Sequence, residues 1–165
     1  MIKHTLFATL ILWMQTPTAV AQSDSNAVFD QLKGLAGLWQ RRDSNSDFRI
    51  EFSLTANDTV LVETWLSKGK QHSLTLYHRD QDRLLATHYC PQGNQPRMVL
   101  NRDADDAWIR FEYLDATNLP SLDLTHQHSL AFHINGDNKS IERAEVYRAG
   151  DKEQADSMIL IRADE

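Results

Sequence analysis

Apolar and polar residues alternate along most of this chain. From Phe48 to Leu54 every second position is apolar, which is typical of a strand with one buried face. Nine further short segments of strand character follow or precede it, separated by turn sequences. The ten predicted strands are Leu38–Arg42, Phe48–Leu54, Val60–Leu66, His72–Arg79, Arg83–Cys90, Arg97–Asn101, Trp108–Leu114, His126–Ile134, Ser140–Tyr147 and Ser157–Arg162. Even spacing of short strands predicts an all-β protein, an antiparallel up-and-down barrel of about ten strands, with an open sandwich as the alternative.

A different spacing precedes the first strand. The apolar residues from Phe29 to Leu35 fall at helical intervals, and Ser25 or Asn26 can cap the helix that they predict. The glycines that follow limit this helix to two or three turns. We therefore expect one short N-terminal helix and no other.

The first 21 residues have the pattern of a secretory signal peptide. A short basic start, Met1–His4, precedes the apolar run Leu6–Met14 and the small-x-small site Ala19–Ala21. The run is too short to span a bilayer, and an uncleaved anchor is the alternative. Cleavage after Ala21 leaves residues 22–165 as a single domain, exported to the periplasm or secreted.

The charge of the chain restricts its partners. It has 17 Lys and Arg against 23 Asp and Glu, a formal charge of −6; cleavage removes Lys3 and no acid, which makes the charge −7. An acidic protein is not expected to bind nucleic acid or an anionic membrane surface. A single cysteine, Cys90, cannot form an intramolecular disulfide. It is therefore a buried small residue, a thiol that contacts a ligand, or an intermolecular link.

The densest set of candidate chemistry is the polar corner, defined as Thr87–Arg97, between the fifth and sixth predicted strands. Its candidate ligand contacts are His88, Cys90, Asn94 and Arg97. The planar guanidinium of Arg97 can hold a carboxylate or phosphate with two hydrogen bonds, and a surface ion pair is the alternative. Asn118, in the long connection Asp115–Asp123, is expected at the same end of the barrel.

Two histidines lie two positions apart on the eighth predicted strand. His126 and His128 share parity with Leu130 and Phe132, so both are expected to enter the lumen above an apolar floor. Together with His88 they can form a three-histidine metal centre with an open position, which gives a metal-dependent hydrolase as one alternative. No carboxylate or second cysteine falls at ligand spacing, so we expect these histidines to form hydrogen bonds and no metal or cofactor to be bound.

Cys90 and His88 also permit an interpretation as a nucleophile and its base. A thiolate needs a base or a positive neighbour at neutral pH, and both residues lie on one strand face. The turn that follows provides no evident oxyanion donor. We therefore expect Cys90 to line a pocket wall.

The segment Phe29–Trp39 resembles the start of calycin barrels, in which a short helix leads into Gly-x-Trp on the first strand. This resemblance implies that Trp39 closes the barrel floor and stacks on Arg162 from a late strand. Most of the chain is similar to a group of uncharacterised, exported bacterial lipocalin-like proteins. The segments that carry this similarity are Phe29–Trp39, Thr87–Met98 and Asp115–Leu130. Nitrobindin-like barrels, of similar size, imply haem held by one histidine as a further alternative.

These observations predict an exported barrel that binds a small amphipathic or acidic molecule in its lumen, rather than an enzyme. The expected ligand contacts are His88, Cys90, Asn94, Arg97, Asn118, His126 and His128. Ligand sites of this kind are apolar concavities with a few convergent polar groups. The alternatives are the metal-dependent hydrolase, the haem barrel and a structural module of the cell envelope.

Overall fold

A computed structural model describes residues 24–43, 45–103, 107–136 and 139–163, and the predicted signal peptide at residues 1–21 lies outside them. Within these residues, ten antiparallel strands form a closed barrel, preceded by one short helix. The elements are α1 (Ser25–Lys33), β1 (Gly37–Arg41), β2 (Arg49–Thr55), β3 (Val60–Ser67), β4 (Lys70–Asp80), β5 (Arg83–Tyr89), β6 (Gln95–Leu100), β7 (Trp108–Thr117), β8 (His126–Ile134), β9 (Ser140–Ala149) and β10 (Lys152–Arg162).

The strands pair in the order of the chain, and β1 pairs with β10 to close the barrel. Closure satisfies the backbone groups that an open sheet would leave unpaired at its edges. The predicted up-and-down barrel of ten strands is therefore confirmed, and the open sandwich is excluded.

The helix α1 closes one end of the barrel. Asp24, rather than Ser25 or Asn26, is the N-cap, and its Oδ1 accepts from the backbone N–H of Asn26 at 3.0 Å. Ser25 Oγ donates to the carbonyl of Asp82 in the β4–β5 turn at 2.7 Å. The apolar face of α1 packs into the core. No helix in the described part of the chain is long and apolar enough to cross a membrane.

Trp39 and Arg162 lie opposite each other in the β1–β10 ladder, beneath α1. The guanidinium carbon of Arg162 is 4.4 Å from the centroid of the Trp39 ring, so the predicted cation–π contact is confirmed. Arg162 also donates to the carbonyls of Ala36 at 2.5 Å and Gly34 at 2.9 Å. This one side chain thus joins the last strand to the first and to the end of the helix.

Aromatic side chains fill the half of the barrel next to α1. The Tyr77 ring centroid lies 5.6 Å from that of Phe111 and 6.0 Å from that of Phe132, which in turn is 6.3 Å from Phe52. All four side chains are fully buried. Successive connections of an up-and-down barrel alternate between its two ends. The β5–β6 and β7–β8 connections therefore lie at the end opposite α1, which we call the mouth.

Candidate functional site

The polar corner meets the long β7–β8 connection at the mouth. Asn118 Nδ2 donates to the carbonyl of Gly93 at 2.7 Å, and Asn94 Nδ2 donates to the carbonyl of Thr125 at 2.8 Å. Asn118 adopts a left-handed backbone (φ +51°), which asparagine tolerates better than most residues. The expected proximity of Asn118 to the polar corner is confirmed. Both asparagines hold rim loops together.

A cavity of about 270 Å³ opens at the mouth. Its lining residues are Trp65, His72, Ser73, His88, Pro91, Gln92 and Tyr147. His88, Pro91 and Gln92 belong to the polar corner, whereas the other four come from strands β3, β4 and β9. The corner therefore forms one wall of a cavity whose other walls are strand residues.

His88 points into the barrel. The two-residue turn Gln81-Asp82 sets the β4–β5 register, so that His88 pairs with Thr75 and shares a face with Tyr77. Its Nδ1 is 3.0 Å from Thr75 Oγ1, and its Nε2 is 3.4 Å from the hydroxyl of Tyr147. Burial, followed by the positive charge of Arg143, lowers the pKa of His88 to about 4. At neutral pH His88 is thus an uncharged imidazole.

Beneath the cavity lies a buried ionic cluster, defined by Glu63, Arg143 and Glu145. Arg143 Nε is 2.8 Å from Glu63 Oε1, and Arg143 Nη1 is 2.9 Å from Glu145 Oε2. Arg143 and Glu63 have no exposed surface, and Glu145 is 8 % exposed. Taking charges out of water is costly unless they are paired and hydrogen-bonded, as they are here.

Neutral side chains add hydrogen bonds to the Glu63 carboxylate of this cluster. Trp65 Nε1 donates to Glu63 Oε1 at 2.6 Å, and the hydroxyl of Tyr77 donates to Glu63 Oε2. The Arg143 guanidinium carbon lies 4.5 Å from the centroid of Trp65. Trp65 therefore connects the cavity wall to the ionic cluster below it.

Electrostatics keep Arg143 charged and the neighbouring phenols of Tyr77 and Tyr147 protonated. Burial opposes the charge of Arg143, but the carboxylates of Glu63 and Glu145 outweigh it and raise the pKa of Arg143. Burial and then the charge of Glu63 raise the pKa of Tyr77, and burial and then Glu145 raise the pKa of Tyr147. Both phenols thus remain hydrogen-bond donors. Two carboxylates and one guanidinium give the cluster a formal charge of −1.

The predicted direction of His126 and His128 is wrong. A β-bulge interrupts the β8–β9 ladder between Gln127 and Ser129. Gln127 lies on the inner face, where its Nε2 donates to Glu145 Oε2 at 2.9 Å. His128 instead contacts Arg148 at 2.8 Å, away from the ionic cluster.

Both histidines lie against the ring of Tyr113, His128 stacked at 13° and His126 tilted at 57°. The ring centroid of Tyr113 is 5.1 Å from that of His126 and 5.4 Å from that of His128. His126 Nδ1 also lies 2.8 Å from the carbonyl of Leu124 in the rim loop. Strand parity predicted that both histidines enter the lumen. Instead, they pack against the β7–β8 connection and stabilise it.

The three histidines do not come together as a metal centre. His88 bonds to Thr75 and Tyr147, whereas His126 and His128 contact Tyr113. Within the described ranges, no group of three His, Cys, Asp or Glu side chains is arranged to hold a metal ion. The three-histidine arrangement behind the hydrolase alternative is thus not formed.

Arg97 forms a surface ion pair. Its Nε is 2.6 Å from Asp115 Oδ1, and its Nη2 donates to the other carboxylate oxygen. Both side chains are nearly half exposed. The hydrogen bond and charge of Arg97 lower the pKa of Asp115. The structure thus shows for this guanidinium the surface ion pair that was the alternative to a ligand contact.

Cys90 is buried beside the mouth, with 7 % of its surface exposed. Its Sγ donates to Gln92 Oε1, and its backbone N–H donates to the carbonyl of Asn94 at 3.1 Å. Burial raises the pKa of the Cys90 thiol. A protonated, buried thiol is a poor nucleophile, so its environment favours a place in the wall over catalysis.

Sequence reasoning missed the ionic cluster, although it left a signal. Glu63 has the same strand parity as Leu61 and Trp65, so a carboxylate occupies an inward position. Arg143 and Glu145 likewise share the strand parity of the buried Ile141 on β9. An acid on one strand and a base on another, both at inward parity, could have been matched as an internal ion pair.

Another groove, of about 360 Å³, lies beside α1. Its polar lining includes Asp30, Gln31 and Asn135, none of which is buried. Buried polar groups converge at the mouth instead, which is why we place the candidate site there.

Comparison with known proteins finds no family profile that matches the chain and no curated protein with a significantly similar sequence. The fold and the site therefore carry the functional argument.

Proposed function

We propose that this protein binds a small amphipathic molecule at the mouth of its barrel. The observation that carries the proposal is the position of the buried ionic cluster directly beneath an open cavity. Buried charges contribute little net stability, because desolvation offsets their attraction. Ligand sites are concavities in which a few placed polar groups fix the orientation of the ligand, and a cluster beneath this cavity is suited to that role.

The walls of the cavity fit a ligand with an apolar part and a polar part. Trp65 and Pro91 offer apolar surface, whereas Ser73, His88 and Tyr147 offer hydrogen-bonding groups. His88 is uncharged at neutral pH and can donate or accept according to its tautomer. The ligand would lie along Trp65 with its polar end towards the ionic cluster.

The residues of this proposed site overlap only partly with those expected from the sequence. His88 lines the cavity, whereas Cys90 does not line it and only bonds to Gln92, which does. Asn94 and Asn118 hold the rim loops. Arg97, His126 and His128 are not part of the proposed site.

Blocking the cavity tests the proposal. Nile red, an uncharged amphipathic dye, would be titrated by fluorescence against the wild type and Ser73→Phe, which places a ring in the cavity. We expect the variant to weaken dye binding by about tenfold or more, which corresponds to about 1.4 kcal/mol. His72→Trp, at an exposed position of the lining, gives a second blocked variant if Ser73→Phe does not fold.

Arg97→Ala is the matched control, because Arg97 lies outside the cavity in an exposed ion pair with Asp115. We expect dye affinity within about twofold of the wild type, well below the tenfold step of 1.4 kcal/mol. Equal affinity in the wild type and both blocked variants would refute the site. Native mass spectrometry of freshly purified protein adds an independent readout, since a haem mass would support the haem alternative instead.

We also propose that the protein is exported and that residues 1–21 are removed. The basic start, the apolar run and the Ala19-Val20-Ala21 site support this proposal. The intact mass of protein isolated from the producing cell tests it. A chain that begins at Gln22 is expected, and a full-length chain retained in the cytoplasm would overturn it.

A further inference from the structure

Two polar atoms at the base of the mouth have no hydrogen-bond partner among the described residues. They are Arg143 Nη2, a donor, and Gln127 Oε1, an acceptor. Both side chains have no exposed surface. Buried polar groups in native proteins are almost always paired, and leaving one unpaired costs about 1–3 kcal/mol. Two such atoms in one cluster indicate that something binds there.

The orientation of Gln127 follows from the chemistry of its neighbour. The carboxylate of Glu145 only accepts hydrogen bonds, so the amide nitrogen of Gln127 must face it, at 2.9 Å. The amide oxygen is then directed elsewhere. The same Glu145 oxygen also accepts from Arg143 Nη1 at 2.9 Å, which brings the side-chain ends of Gln127 and Arg143 together.

Both residues lie directly behind the walls of the cavity. Gln127 is opposite Tyr147 in the β8–β9 ladder, and Arg143 stacks on Trp65. The Tyr147 hydroxyl is 3.4 Å from His88 Nε2, which is long for a hydrogen bond and therefore weak. A ligand in the cavity must displace this contact before it can reach either atom.

We propose that the site selects ligands whose polar end is uncharged and both accepts and donates hydrogen bonds, such as a primary amide or an alcohol. This proposal rests on the proposed function and specifies its ligand class. The ligand oxygen accepts from Arg143 Nη2, and its N–H or O–H donates to Gln127 Oε1. An ionised carboxylate can accept from Arg143 but cannot donate to Gln127. It would also add a second net negative charge to a cluster whose formal charge is −1.

Three probes with the same alkyl chain separate these properties. Octanamide accepts and donates, methyl octanoate only accepts, and octanoate at pH 7.5 only accepts and is charged. Each would compete with Nile red for the wild-type protein. We expect octanamide to bind about tenfold more tightly than either of the others, because a site built for a donor rejects analogues that lack it.

Gln127→Met removes the acceptor and keeps the shape of the side chain. We expect octanamide to lose its advantage over methyl octanoate in this variant. The affinity of methyl octanoate should stay within about threefold, because this ester has no donor for Gln127 and loses no hydrogen bond. If Gln127→Met does not fold, the ranking of the three probes on the wild type tests the proposed selectivity.

Equal affinity of the three probes, or a preference for octanoate, would overturn the proposed selectivity and leave the binding function intact. Failure of Nile red and all three probes to bind would overturn the binding function itself. Buried water can also occupy the two unpaired atoms, and in that case the probes would show no ranking.

Discussion

Gln127 lies directly opposite Tyr147 in the β8–β9 ladder, at the position that His128 would occupy if the ladder continued without interruption from the Leu130–Glu145 pair. One extra residue in β8 causes this shift. Because side chains alternate with a period of two, a one-residue slip exchanges the inner and outer faces of a strand. The bulge thus places an amide, rather than two imidazoles, beside the ionic cluster.

Substitutions on either side of the bulge test this geometry. Gln127→Ala removes the amide that donates to Glu145 and is expected to lower the free energy of unfolding by about 1–3 kcal/mol. His128→Ala lies on the outer face and is expected to cost less than about 1 kcal/mol. Urea denaturation measures both. A larger cost for His128→Ala would contradict the assigned faces.

The buried ionic cluster is expected to be sensitive to the loss of one partner. Arg143→Met leaves the carboxylates of Glu63 and Glu145 buried without their counter-charge, and we expect a loss of about 3–5 kcal/mol in unfolding free energy. Arg97→Met breaks the exposed pair with Asp115 and is the matched control, with an expected cost below about 1 kcal/mol. Chemical denaturation at neutral pH measures both, and similar costs would refute the difference in burial.

Gly37 is expected to be intolerant of any side chain. Its backbone has φ +130°, and a Cβ there would lie 2.4 Å from Nη1 of Arg162. Gly69, with φ +70° and open space around it, is the control. We expect Gly69→Ala to cost about 1–2 kcal/mol from backbone strain alone. Gly37→Ala should cost more, on the order of 3 kcal/mol or above, because the clash adds to the strain.

Thermal denaturation of the two alanine variants, measured side by side, compares their losses of stability. Equal losses would show that the guanidinium of Arg162 does not occupy the space next to Gly37.

His88 is expected to make stability depend on pH. Its folded-state pKa of about 4 is below the unfolded value of 6.5. Between these values the unfolded chain binds a proton that the folded protein excludes. The contribution of His88 to the free energy of unfolding is therefore fully present above pH 6.5 and is lost as the pH falls towards 4. The full effect of this shift is about 3 kcal/mol.

Urea denaturation at pH 7 and pH 5 measures this dependence. His88→Asn should reduce the loss of stability between the two pH values. His78→Asn, on the opposite face of the β4–β5 hairpin, is the control and should retain the wild-type loss. An unchanged pH dependence in His88→Asn would contradict the buried, neutral state of this imidazole.

Cys90 is expected to react slowly with alkylating agents in the folded protein. Its thiol is buried and its pKa is raised, so little thiolate is present at pH 7.5. Iodoacetamide labelling followed by mass spectrometry should be slow for the native protein and fast in urea. Rapid labelling of the native protein at neutral pH would instead support the nucleophile hypothesis.

The sequence by itself determined the barrel. Alternation of apolar residues and the turn sequences predicted all ten strands. The predicted and observed strand ends differ; for example, β10 was predicted to begin at Ser157 and begins at Lys152. These signals are local, because each strand must bury one face and each turn must reverse the chain. The stacking of Trp39 and Arg162 was also predicted, from the resemblance of the first segment to calycin barrels.

Only the tertiary structure decided the site. The direction of Gln127, His126 and His128 depends on a bulge that appears only when β8 pairs with β9. The ion pair between Glu63 and Arg143 joins residues 80 positions apart, so no local pattern links them. Strand periodicity fixes which side chains share a face within one strand. Register and closure of the barrel determine which strands place their polar residues against one another. Both are properties of the whole fold.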